Sequence, residues 1–159
     1  MSHFSEIKAL ILASYPTATV RLLSNQRKDI TAQNTDSFPY VILNDTNQKE
    51  NSKNNAARLM SNQRFDWLFL FPDEWDNRDS ENDSGQIDDA TDAIIETAEN
   101  MANAVFYSWS NSGATKFAGS QEARPRWIIR PSIRKLSSTM SGVSVEIRFI
   151  KYENNYCLP

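Results

Sequence analysis

Residues that carry chemistry are scarce in this chain: one histidine, His3, one cysteine, Cys157, and four glycines among 159 residues. Nucleophilic triads and histidine metal sites need imidazole. The only one available lies at position 3, in a segment expected to fray. A lone cysteine cannot build a disulfide framework, so folding must rest on a hydrophobic core and the compartment reads as reducing. Cys157 has no partner for a metal site and falls in a terminal tail, where packing or simple exposure accounts for it. Gly85, Gly113, Gly119 and Gly142 are isolated, and none leads a strand into a helix with the spacing of a phosphate-binding loop, which disfavours nucleotide binding. No cofactor and no metal are therefore expected.

Long hydrophobic runs are also missing. The uninterrupted apolar stretches 9–13 and 67–71 fall far short of the about 20 residues that span a bilayer. Glu6 and Lys8 break the N-terminal apolar stretch and no basic leader precedes it, which argues against a secretory signal. Asn44-Asp45-Thr46 and Asn82-Asp83-Ser84 match the glycosylation pattern and read as chance matches. The net charge of -3 and the pI near 5.2 provide no general attraction to phosphate backbones or anionic lipid. Neither a membrane nor sequence-specific nucleic acid is expected as a partner.

A chain of 159 residues is normally one domain and buries roughly two thirds of the surface its unfolded form exposes. We expect a single domain over 1–159. The apolar content of 40% lies slightly on the polar side of ordinary, with the excess of Asn, Ser, Asp and Gln gathered in stretches expected to be loops.

Phe4, Ile7, Leu10, Ile11 and Ser14 recur at helical spacing, with Ser2 available as a cap and Tyr15-Pro16 as a stop, so a short amphipathic helix comes first. Residues 19–23 are β-branched and apolar and predict a strand. The polar run 24–37 reads as a long hairpin-like connection, with room for a short strand over 29–32. Phe38-Pro39-Tyr40-Val41-Ile42-Leu43 predicts a strand whose proline lies near its start. Residues 44–62 read as a long mobile loop. Residues 64–71 begin in alternation and become continuously apolar, as a central strand does, before Pro72.

From Gln86, the positions Ile87, Ala90, Ile94, Ala98, Met101, Val105 and Trp109 repeat at three- and four-residue intervals and predict a long helix. Asp83 or Ser84 is its candidate cap, Asp88, Asp89 and Asp92 suit its positive end, and Gly113 supplies a stop. Residues 127–136 and 141–150 predict a hairpin, with Val143, Val145, Ile147 and Phe149 buried and Ser144, Glu146 and Arg148 wet. Residues 152–159 read as an extended tail. The class is α+β, a mixed or mostly antiparallel sheet of about five strands, with a short N-terminal helix and one long helix packed on one face.

Two charged features remain. The acidic loop 73–85 contains Asp73, Glu74, Trp75, Asp76 and Asp79. Aligning Gly85 with the sixth position of a calcium-binding EF-hand puts Ser80 at the first ligand position and Thr91 where the bidentate glutamate belongs, and both fail. Carboxylate acid–base chemistry would need two carboxylates in separate environments, and nothing in the spacing provides them. The basic feature is Arg124, Arg126, Arg130, Arg134 and Lys135. The even spacing of Arg126, Arg130 and Arg134 would project them as a row from one strand face. That row is either a solvated face or a surface that meets the acidic loop of a neighbouring copy in a head-to-tail ring.

The N-terminal helix, the Phe38-Pro39-Tyr40-Val41-Ile42-Leu43 strand, the apolar 65–71 strand, the long 87–109 helix and the final Ser141-Gly142-Val143-Ser144-Val145-Glu146-Ile147 strand together resemble the tail-completion or tail-terminator proteins of tailed bacteriophages. The likeness spans most of the chain and departs from the family in the acidic loop and in the Asn-rich 44–62 segment. It implies a non-enzymatic virion component of the tail or neck, assembled in the host cytoplasm. Such a subunit is a homo-oligomer, forming rings often of six, and contacts other tail or neck proteins at the head–tail junction. A monomeric protein-binding adaptor and a metal-assisted enzyme using carboxylates in 73–92 are the alternatives.

Overall fold

A computed structural model describes residues 3–23, 39–53, 59–73, 89–112, 124–135 and 140–152. They form helix α1 (His3–Ser14), strands β1 (Thr19–Leu23), β2 (Tyr40–Lys53) and β3 (Leu59–Pro72), helix α2 (Asp89–Ser112), and strands β4 (Arg126–Lys135) and β5 (Met140–Tyr152). The strands make one mixed sheet in the order β1-β2-β3-β5-β4, with β1 parallel to β2 and the other neighbours antiparallel. The architecture is α+β, with the expected short first helix and long second one.

Period-two alternation explains why one side of the sheet carries the main core. Val41 and Leu43 of β2, Trp67 and Phe69 of β3, and Val143, Val145, Ile147 and Phe149 of β5 join a single buried cluster with Ile7 and Ile11 of α1 and Ile95, Ala98, Met101, Ala102, Val105, Phe106 and Trp109 of α2. Both helices therefore cover the same face. Aromatic packing dominates it: Phe106 meets Phe69 edge-on at 5.7 Å and Trp109 meets Phe149 edge-on at 5.1 Å. Each such ring contributes roughly 2–3 kcal/mol on burial. Indole N–H groups fasten the layers, Trp109 Nε1 donating to Glu6 Oε2 of α1 at 3.3 Å and Trp127 Nε1 of β4 to Asn103 Oδ1 of α2 at 2.9 Å. Proline in β4 is tolerated because that strand is an edge.

The expected apolar stripe of α2 needs one correction at its start. Ala90 is exposed and Ile94 only half-buried, while Thr91 and Ile95 are buried. Counting back from Ala98 in steps of 3.6 residues lands between 94 and 95, then near 91, so a strict four-residue step drifts off the face.

His3 is not frayed as expected. It begins α1 and its ring packs against Phe149 at 4.8 Å and Trp109 at 5.8 Å.

Residues 44–62 were expected as a loop, and most of them are strand. Gln48–Lys53 pairs antiparallel with Leu59–Arg64, and Met60–Arg64 pairs in turn with Tyr152–Arg148 of β5. Backbone ladders do not depend on side chains, and a polar strand has no period-two apolar signal to betray it. A bulge separates this extension from the apolar half: β2 advances from Asn44 to Gln48 while β3 advances only from Asp66 to Arg64. Tyr152, assigned to the tail, closes β5.

The parallel pairing of β1 with β2 also rules out a hairpin between them, because parallel neighbours need a connection that returns to the same end of the sheet. The connection itself, the candidate helix cap at 83–84, Gly113, and the tail 153–159 with Cys157 lie outside the described residues.

Candidate functional site

The sheet face opposite the helices divides in two. At one end Tyr40, Ile42, Leu70 and Met140 form a small, fully buried apolar cluster with Leu68 against it. The other end is charged, and register arranges it in rows across the strands. Arg64 of β3 stands opposite Arg148 of β5, which stands opposite Arg126 of β4. The next row is Asp66, Glu146 and Ile128, and the one after is Leu68, Ser144 and Arg130.

Like charges directly across a sheet repel, and the arrangement is relieved on the diagonal. Glu146 Oε2 accepts from Arg64 Nη2 at 2.9 Å, and Glu146 Oε1 accepts from Arg148 Nε at 2.6 Å. Arg130 Nη1 approaches the same carboxylate at 3.5 Å. These side chains cover Glu146 so well that it is only 5% exposed, although it occupies the strand face that alternation assigned to solvent. Burial alone raises the proton affinity of this carboxyl. The hydrogen bond and charge of Arg148, with the charges of Arg64 and Arg130, outweigh that and hold its pKa below the ordinary value.

Glu146 is the residue of this candidate site that sequence reasoning missed. The signal was present as even-numbered arginines on three strands, yet their convergence depends on the β3–β5–β4 order, which one strand's pattern does not reveal. The expected row along β4 is corrected accordingly. Arg126 and Arg130 are exposed and share the face, and Arg124 is exposed just before the strand. Between Ser132 and Lys135 the register slips, so that Lys135 rather than Arg134 stands opposite Met140. The extra residue interrupts the even spacing on which the row was read, and the Arg134 side chain lies outside the described residues.

Asp73 also departs from its expected role as a subunit contact. It is 1% exposed, and its Oδ2 accepts from Ser141 Oγ of β5 at 2.6 Å and from Thr91 Oγ1 of α2 at 3.0 Å. Its work is internal: it ties the end of β3 to the first turn of α2 and the start of β5. Thr91, the failed glutamate position of the calcium pattern, is one of its donors. Glu74, Trp75, Asp76 and Asp79 lie outside the described residues.

Among the described residues, no three His, Cys, Asp or Glu side chains are grouped so as to hold a metal ion, and no helix is long and apolar enough to cross a membrane. In comparison with known proteins, the sequence matches no family model and no curated protein.

Proposed function

We propose that this chain is a non-enzymatic structural subunit of a tailed-phage virion, a tail-completion or tail-terminator protein that assembles into a ring and joins the tail to the neck or head. The observation that carries the reading is the division of labour between the two sheet faces. One face is consumed by α1 and α2 in a single aromatic core, while the charged half of the other presents Arg126, Ile128 and Arg130 on an edge strand. Edge strands and exposed mixed patches are what a subunit uses to meet other polypeptides. The elements on which the resemblance rests, a short first helix, the strands at 40–43 and 65–71, the long helix and the last strand, occur in that order.

Light scattering on the purified protein over a wide concentration range, followed by electron microscopy of the largest species, tests this. The expected result is a discrete oligomer whose images show a closed ring. A monomer at every concentration, with no ring in the images, would overturn the reading.

A further inference from the structure

Among the described side chains, the charged half of the sheet carries more positive than negative groups: Arg64, Arg126, Arg130 and Arg148 against Asp66 and Glu146. Glu146 holds Arg64 and Arg148 in close contact. Arg130 reaches it only at 3.5 Å with 56% of its side chain exposed, and Arg126 makes no ion pair among the described residues. Between these two stands Ile128, 48% exposed, one of two large hydrophobic side chains so placed among the described residues. A partner fitted to this patch brings carboxylates and an apolar side chain together.

This chain has such a stretch. Residues 74–83 contain Glu74, Trp75, Asp76, Asp79, Glu81 and Asp83, with Arg78 as their one basic residue. We infer that the Arg126–Ile128–Arg130 patch is the docking surface for the acidic 74–83 stretch of a second copy. The inference rests on the ring reading above and specifies its contact.

Asp73 and Thr91, which flank the stretch, are bonded to each other and, through Asp73, to Ser141 at the start of β5. Arg130 and Arg126 stand opposite Ser144 and Arg148, about 10 Å and 23 Å further along β5 at the usual rise of roughly 3.3 Å per residue. The patch and the 74–83 stretch are different parts of one chain, so their pairing between copies is heterologous. A heterologous contact of that kind propagates head to tail and closes into a ring when the rotation permits. Opposite charges set the register and the encounter rate, and the apolar pair excludes water between them.

The test pairs charge reversal with cross-linking of the full chain. The R126E/R130E double variant, confirmed as folded by circular dichroism, should self-associate about tenfold or more weakly than wild type. Adding E74K/D76K/D79K should restore association. In the conservative R126K/R130K variant, carbodiimide coupling of mixed isotopically heavy and light protein should yield heavy–light peptides joining position 126 or 130 to residues in 74–83. A wild-type oligomer unchanged by R126E/R130E would overturn this contact while leaving the ring reading standing. A wild type that never associates would instead defeat the ring reading and this inference with it. Links within one copy only, or loss of short duplex DNA binding as the sole effect of R126E/R130E, would also overturn it.

Discussion

The Ser141 hydroxyl donates to the buried Asp73 carboxylate at 2.6 Å, joining residues that are 68 positions apart in the chain. Thr91 donates to the same oxygen, so one carboxylate fixes three elements. Replacing Asp73 with Ala removes the acceptor that two buried hydroxyls share and should cost roughly 2–3 kcal/mol. Ser141→Ala removes one donor and should cost about 1 kcal/mol. Urea denaturation of both variants checks the order. Equal stabilities would mean that Asp73 does not link the elements.

Gly142 lies where β5 passes the β3 backbone so closely that an added Cβ would sit 1.9 Å from the Phe69 carbonyl oxygen. A backbone atom on the central strand cannot swing aside as the tip of a flexible side chain can. Gly142→Ala should therefore destabilise the fold by about 2 kcal/mol or more, measured as a lower denaturation midpoint. A midpoint equal to that of wild type would show that β3 and β5 separate here without cost.

Glu146 gives the charged face its pH dependence. Its pKa is lower in the folded chain than in the unfolded one, so its contribution is fully present above the ordinary carboxylate range and is lost as the pH falls through the folded value. Glu146→Gln should cost roughly 1 kcal/mol at neutral pH, given the partial exposure of its arginine partners. The gap between variant and wild type should close as the pH falls below the ordinary range. Denaturation curves at neutral and acid pH check this, and a gap that is constant or widens in acid would refute the ion-pair account.

Legibility in the sequence followed periodicity. The alternation of Val143, Val145, Ile147 and Phe149 and the repeat running through Ala98, Met101, Val105 and Trp109 identified β5 and α2 because each element buries one side against a single core. The outer half of the β2–β3 hairpin left no such mark, since polar residues at 48–53 and 61–64 interrupt any apolar alternation. Asp73 looked like the first member of an acidic run because its neighbours in sequence are acidic. Its role is set instead by hydroxyls 18 and 68 residues away. Glu146 escaped notice for a related reason: it stands at a position that alternation marks as wet, and arginines from three strands dry it. Contacts made by strand order rather than by spacing were the ones that linear patterns did not show.

Hydroxyl-radical footprinting at low and high protein concentration tests most directly whether the far sheet face, and not the helical side, meets other polypeptides. Ile128 on β4 and Tyr107 on α2 are the two reporters, 48% and 65% exposed in the single chain. Association through the sheet face predicts that oxidation at Ile128 falls as concentration rises while oxidation at Tyr107 holds steady. Unchanged labelling at Ile128 in a preparation shown to be oligomeric, or protection of Tyr107 in its place, would contradict it.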